Sequence, residues 1–329
     1  MSWEEAETAF IRSRKLGIYG ASKAVKPRTV EEYRWDLKQF FDFMRNRQVT
    51  RYNQLSEKLI LDYVAHLQNG WSAATQRKYL ISLKAFFRWA ERDPECKQAN
   101  MPSFTRFMPR IGKEIRRAFV PSREQMQAFL GGFDKNVIWG LRDYTACAFM
   151  LDTGARVGEI CNLEEDDFRW QLGLVNLDGK TGERLVPFNF ETTGRLVKSW
   201  MRARLRFVHP DCRRLFITRF GGACTPDTFR QAFSDNLKRT GLEKVLGDDT
   251  ISCHTIRHYF CTMYLVNGGT LHNLQRITGH RTLETLMIYV NLAKQLTTVA
   301  EEANRVSPLS TLLNSRQEQK RRMVRLGSN

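Results

Sequence analysis

Residues 254–289 read HTIRHYFCTMYLVNGGTLHNLQRITGHRTLETLMIY. His254, Arg257 and His258 stand at i, i+3 and i+4, so a helix places them on one face. Ile256, Tyr259, Phe260, Met263 and Leu265 around them are largely apolar, as a packed helix requires. Gly279 reads as a helix stop or tight turn just before His280. Tyr289 follows on a helix whose apolar stripe is expected to be Leu283, Leu286, Met287 and Val290, with the tyrosine at the edge of that stripe. The imidazoles of His254 and His280, the Arg257 guanidinium and the Tyr289 phenol, all within 36 residues, suit phosphate chemistry. Buried His and Tyr with ordinary hydrogen bonds are nevertheless commoner than reactive ones, so the rest of the chain must decide.

The 329 residues, 42% of them apolar, are enough for two hydrophobic cores. No run of 18 apolar residues is present, so no membrane span is expected. The start, MSWEEAETAF, is acidic and lacks the basic and apolar regions of a signal peptide, which points to a cytoplasmic protein. Seven scattered cysteines without a CxxC pair argue against a zinc site and against a disulfide framework. The net charge of +17 divides between the halves: 23 Lys and Arg against 13 Asp and Glu up to Arg117, then 29 against 22. Two basic halves suggest a polyanion gripped from two sides, and nucleic acid is the obvious one.

Residues 1–28 read as a lead holding a short helix and then the basic ASKAVKPR. Thr29 is expected to open a helix through a Thr29-x-x-Glu32 capping box, with Val30, Tyr33, Leu37, Phe40, Phe41 and Met44 inward. Helices from about Ser56 and from Ser72 to Arg92 complete a small bundle over 29–93. Its outer faces carry Arg34, Lys38, Arg77, Lys78, Lys84 and Arg88, either a DNA-binding surface or merely solubilising charge. Four prolines punctuate 94–121, a linker whose Arg106, Arg110, Lys113, Arg116 and Arg117 suit a strap along phosphates.

A second domain is expected over 122–314, with helices at 122–130 and 139–152, then 191–207 and 225–240. Between the first pair and the second, TGARVGEI (153–160) presents Arg156, with Glu159 three residues on to orient it. FRWQLGLVNLDGKTGERLVPFN (168–189) reads as a hairpin with Lys180 near its turn, and RLFIT (214–218) as a short strand. Residues 290–304 continue as helix, and 315–329 form a basic tail. GxxxxGK[ST], HExxH and glycine-rich dinucleotide fingerprints are absent.

Arg156 in TGARVGE, Lys180 in a hairpin turn, His254-x-x-Arg257, Gly279-His280 and Tyr289 occur in one order and spacing. In these residues the chain resembles the tyrosine recombinases, also called the phage integrase family, over nearly its whole length. Thr278 stands where a leucine is usual, a change of packing rather than of chemistry. Lys198 and Lys238 are the competitors for the place of Lys180, and both fall in expected helices.

The resemblance implies a mainly α fold: a helical core-binding bundle, then a mostly helical catalytic domain with a small antiparallel β-sheet. It implies a site-specific recombinase whose Tyr289 attacks a DNA phosphodiester to give a 3′-phosphotyrosyl link and a 5′-hydroxyl. Arg156 and Arg257 would clamp the non-bridging oxygens and His280 would donate to the phosphate. Lys180 would protonate the leaving oxygen, and His254 would assist proton transfer or support the arginines. No cofactor or metal is implied. The implied partners are double-stranded recombination sites, a homo-tetramer on DNA formed from monomers or weak dimers, and accessory DNA-bending proteins. The implied location is cytoplasmic and nucleoid-associated. Residues 296–313 would dock on a neighbouring protomer or pack in cis. A type IB topoisomerase or a hairpin telomere resolvase would share this chemistry. A catalytically silent, sequence-specific DNA-binding protein is the alternative of another class.

Overall fold

The computed structural model describes residues 1–18, 24–94, 96, 103–109, 119–179 and 182–297. Lys180, Arg110, Lys113, Arg116 and Arg117 lie outside the described residues, as do 298–313 and the tail. The chain divides into two units, Met1–Arg116 and Arg117–Asn329.

The first unit is a four-helix bundle: α1 (Trp3–Leu16), α2 (Pro27–Arg45), α3 (Glu57–Gly70) and α4 (Ala73–Ala90). Serine hydroxyls cap three of the helix starts. Ser2, Ser56 and Ser72 each accept a backbone N–H from the first turn, satisfying a donor that the helix cannot. The interior is unusually aromatic. Phe40 meets Trp3, Phe41, Tyr63 and Phe87 edge-on, each at 5.0–5.9 Å between ring centroids. Edge-to-face packing of this kind adds to the stabilisation from burial alone.

Three expectations change here. The segment read as a lead supplies α1, whose Trp3, Ala6, Phe10 and Ile11 are buried in the bundle core. Helix α2 starts at Pro27 rather than at Thr29, with no side-chain cap, because proline at the first helical position pre-sets φ and has no N–H to satisfy. Inside the stretch read as linker, a short turn at Phe104–Phe107 buries Phe104 against Phe87 at 5.2 Å. Aromatic area recruits that stretch to the bundle despite its prolines.

The second unit is built around α6 (Ile138–Thr153), which has buried residues on most of its faces. Against it pack α5 (Arg123–Gly131), α7 (Val157–Asn162), α8 (Arg195–Arg204), α9 (Pro226–Thr240) and α11 (Cys253–Val266). The short α10 (Leu242–Leu246) packs on α5 and α9, while α12 (Leu271–Thr278) and α13 (Met287–Leu296) flank α11. Strands β1 (Phe168–Arg169), β2 (Leu174–Gly179) and β3 (Gly182–Pro187) form one antiparallel sheet in that order. Gly179 pairs with Gly182, so the Lys180–Thr181 pair separates the two long strands.

RLFIT does not form a strand in a sheet. Leu215, Phe216 and Ile217 are buried, but Arg214 and Ile217 make only isolated bridges, to Glu164 and Ala223. The helix expected over 191–207 is regular only from Arg195 to Arg204, after a π-helical turn at Phe190–Gly194. Among the described residues no helix is long and apolar enough to cross a membrane.

Trp3 stacks on Phe41 and donates its indole N–H to the Val49 carbonyl at 2.8 Å. Trp3→Ala is therefore expected to destabilise the first unit by about 3–5 kcal/mol in denaturant titration. A change near zero would mean that α1 is a loosely attached lead.

Candidate active site

Two helix ends and one helix start bring the candidate residues together. Helix α6 ends at Gly154 (φ 64) and α12 at Gly279 (φ 65), both left-handed C-caps that L side chains resist. Arg156 follows the first as the N-cap of α7, and His280 follows the second. Arg257, projecting from α11 and only 2% exposed, ties both ends together. Its Nη1 donates to the Gly154 carbonyl and its Nη2 to the Thr278 carbonyl at 2.7 Å. The Thr278 carbonyl also accepts from Arg156 Nη1 at 3.3 Å. Two guanidiniums thus share the C-terminal carbonyl of one helix, where the backbone dipoles present partial negative charge.

One carboxylate balances them. Glu159, 3% exposed, accepts from the Arg156 backbone N–H at 2.8 Å and from Arg156 Nη1 at 3.1 Å. Arg184 on β3 grips the same carboxylate with both Nη atoms at 2.8 Å, and its Nε donates to the Ile277 carbonyl at 2.7 Å. Burial pushes the Glu159 carboxyl up, but Arg184 and then Arg156 outweigh it and hold the group below its ordinary range. Among the described residues the cluster therefore holds three guanidiniums against one carboxylate, a local cationic excess suited to an anion.

Sequence reasoning missed Arg184, although the period of two along β3 places it on the same side as the buried Val186. The end of β2 lies against the cluster as well, since a Cβ on Gly179 would stand 2.2 Å from Glu159 Oε1. That brings the strand preceding Lys180 to the site. Of its competitors, Lys198 sits 4.6 Å from the ring centroids of both Trp170 and Phe190, held by cation–π contact. Lys238 is exposed in the last turn of α9.

Tyr289 is buried, at 3% exposure, and of the apolar stripe expected on its helix only Leu286 is buried with it. Leu286, Tyr289 and Ala293 face inward, while Leu283 and Met287 are 42% and 45% exposed. The tyrosine is the centre of the buried face rather than its edge, because α13 packs on α11 through that side. His258 Nδ1 lies 2.8 Å from Tyr289 Oη, a contact that the spacing in HTIRH signals only as a shared face. The exposed His254 packs edge-on against His258 at 4.3 Å between ring centroids, and the His280 ring is 6.1 Å from that of Tyr289.

Burial raises the Tyr289 phenol well above its ordinary value. Burial and His254 hold His258 down to about 4, and burial and Arg257 do the same to His280. His254 is lowered too, by burial and Arg257. The Thr278 hydroxyl donates to the Leu274 carbonyl at 2.6 Å and so can only accept from His280 Nδ1, also at 2.6 Å. Neutral His280 then has a bare Nε2, and the ring can donate outward only as an imidazolium.

The basic residues of the first unit are less free than their charge suggests. Lys78 pairs at 2.8 Å with the buried Asp36, and Arg34 pairs with Glu7 and Glu31. Lys84 Nζ donates to the Pro109 carbonyl at 3.1 Å. Lys38, Arg88 and Arg106 are exposed and Arg77 is half-buried. Among the described residues no cluster of three or more His, Cys, Asp or Glu side chains is placed to hold a metal ion.

Comparison with known proteins points one way. Residues 122–295 match the phage integrase family, and residues 20–93 match the phage integrase N-terminal SAM-like domain. The tyrosine recombinase XerD of Pseudomonas aeruginosa is 30% identical over 289 residues, covering 85% of this chain and 92% of that protein. XerD of Listeria monocytogenes is 28% identical over 277 residues, covering 83% and 90%. Two solved structures share the fold. A XerH site-specific recombinase bound to palindromic difH substrate has a TM-score of 0.68 at 21% identity, covering 84% of this chain and 79% of that one. The Tn1549 transposon integrase with transposon right-end DNA has a TM-score of 0.68 at 19% identity, covering 88% and 94%.

Two outcomes follow from this geometry. Arg184→Ala leaves the buried Glu159 carboxylate with Arg156 alone and should cost about 1.5–3 kcal/mol in thermal or chemical unfolding. His258 and His280 ionise near 4 when folded and near their ordinary 6.5 when unfolded, so unfolding takes up protons between those values. The stability from keeping them neutral is fully present above pH 6.5 and is lost as pH falls toward 4. Melting temperatures should drop over that window, and His258→Gln with His280→Gln should flatten the drop.

Proposed function

The chain belongs to the phage integrase family and is a tyrosine recombinase of site-specific DNA recombination, and on that premise we propose how its own residues perform the reaction. The observation that carries the proposal is the convergence of Arg156 and Arg257 on the Thr278 carbonyl, with His280 two residues on and its ring 6.1 Å from that of Tyr289.

A DNA phosphodiester enters the cationic cluster. Arg257 uses one N–H of each Nη on carbonyls, which leaves most of its donors for a phosphate oxygen. Arg156, with its side chain 34% exposed, offers a second fork. These charges stabilise the extra negative charge that develops as the phosphorus becomes five-coordinate. An approaching phosphate also favours the imidazolium of His280, whose Nε2–H then completes the cradle. Tyr289 Oη attacks phosphorus, the bond to the 5′-oxygen breaks, and Lys180 gives that oxygen a proton. The phosphotyrosyl link keeps the bond energy, so a 5′-hydroxyl of another strand can reverse the step without ATP. His254 supports His258 and the arginines, and Glu159 orients both Arg156 and Arg184.

The unit up to Arg116 is the DNA-gripping module in this reading, with Arg34, Lys38, Arg77, Lys78, Lys84, Arg88 and Arg106 toward the backbone. Arg110, Lys113, Arg116 and Arg117 continue as a strap, and the catalytic module runs from 122. DNA recombination sites are the substrate, brought together by four protomers with the C-terminal segment reaching a neighbour. Accessory DNA-bending proteins assist where the site needs bending, and the enzyme acts in the cytoplasm on the nucleoid. The comparisons with recombinases do not favour a topoisomerase, a telomere resolvase or a silent DNA-binding protein.

The test uses a duplex selected by the full chain from a randomised pool and nicked beside the cleavage position. Wild type should form a covalent adduct in EDTA, and Tyr289→Phe should form none. An equal adduct from Tyr289→Phe, or a requirement for metal, would overturn the assignment. Lys180→Ala should slow cleavage about 10²-fold or more, and a 5′-bridging sulfur, which leaves without a proton, should restore it.

A further inference from the structure

HTIRH holds two histidines, and the scheme above gives the second no chemical role. We propose that His258 is the base that takes the proton of Tyr289 during cleavage and returns it during rejoining. The inference rests on the phosphodiester chemistry just described. It adds the group that activates the nucleophile.

The contact is direct, with His258 Nδ1 2.8 Å from Tyr289 Oη, within reach for proton transfer in the resting protein. The other groups near the phenol are less suited. Arg257 is a cation whose Nη atoms donate to carbonyls. His280 gives its Nδ1 to Thr278, and its other nitrogen belongs with the phosphate. Cys261 is buried beside the phenol, and burial raises its thiol to about 11, which leaves it a weak acceptor. His254, on the same helix, packs edge-on against His258, 4.3 Å between ring centroids.

A base must be unprotonated before it acts. The groups facing His258 are His254 and Arg257 on α11 and Tyr289 on α13, with His280 beyond the phenol. Burial, His254 and Arg257 all hold the imidazole neutral. In the tautomer with its proton on Nε2, Nδ1 has the lone pair that accepts from Tyr289 Oη. That bias makes proton transfer uphill in the empty site. A DNA phosphate reverses it, because an anion beside the ring favours imidazolium while bonding to phosphorus makes the phenol a strong acid.

The step balances. Tyr289 Oη–H gives its proton to His258 Nδ1 as the Oη–P bond forms and the P–O5′ bond breaks. Lys180 supplies the proton taken by the leaving oxygen. When a 5′-hydroxyl attacks the phosphotyrosine, imidazolium His258 returns the proton to Tyr289, and Lys180 recovers its own from the attacking hydroxyl.

The experiment measures adduct formation on the selected nicked duplex by the full chain. His258→Gln, which keeps a polar neighbour for Tyr289 but cannot act as a base at neutral pH, should slow the step about 10²-fold or more, as should His258→Ala. DNA affinity should not change. Replacing Tyr289 with 3,5-difluorotyrosine makes the phenol a stronger acid and should rescue His258→Gln by about tenfold or more, but not His280→Ala. A His258→Gln enzyme near the wild-type rate, or equal effects of fluorination in wild type and variant, would reduce His258 to a packing residue and overturn the inference. No adduct from wild type on any selected duplex would overturn the recombination chemistry itself, and this inference with it.

Discussion

The convergence of like-charged guanidiniums on Thr278 and Glu159 is the constraint on which the catalytic unit depends. Arg156, Arg184 and Arg257 repel one another, and Arg257 is almost wholly removed from water. Burial lowers Arg257 to about 10, a measure of how strongly the site disfavours its charge. Two features offset this: carbonyls at the ends of α6 and α12, and a carboxylate shared between α7 and β3. Each partner sits on a different element, so the charge cluster specifies how the sheet and helices must meet. The remaining cationic excess is what a phosphate would neutralise.

The same crowding governs the protons. Guanidiniums and burial act together to keep three imidazoles neutral, and burial keeps the Tyr289 phenol protonated. Resting chemistry is thereby disfavoured. An anion beside the imidazoles favours their protonated forms, whereas the phenol loses its proton only as its oxygen bonds to phosphorus.

In the first unit, packing and charge are separated by face. Trp3, Phe10, Phe40, Phe41, Phe86 and Phe87 interlock inside. The pairs Lys78–Asp36 and Arg34–Glu7 spend part of the outer charge locally. Asp36 is buried and also accepts from Ser82, so its link to Lys78 fixes α2 against α4. Those carboxylates are already counted in the formal excess of the unit up to Arg116, 22 Lys and Arg against 13 Asp and Glu, or +9.

The sequence by itself determined the mainly helical class, the helix starts near Ser56 and Ser72, the hairpin around Lys180 and the order of Arg156, His254, Arg257, His280 and Tyr289. These are local or periodic signals, carried by spacing and by residue type. Tertiary structure alone decided the rest. Tyr289 lies at the centre of its buried face because α11 covers that side, a fact that the apolar pattern of a short helix flanked by Leu283 and Met287 misstates. Arg184 joined the site because the hairpin folds back on Glu159, and α1 joined the bundle because Trp3 found Phe41. His258 met the phenol, 31 residues on in the chain, because α11 and α13 pack side by side. Spacing along a chain fixes which side chains share a face, but which face is buried, and against what, is set by partners distant in sequence.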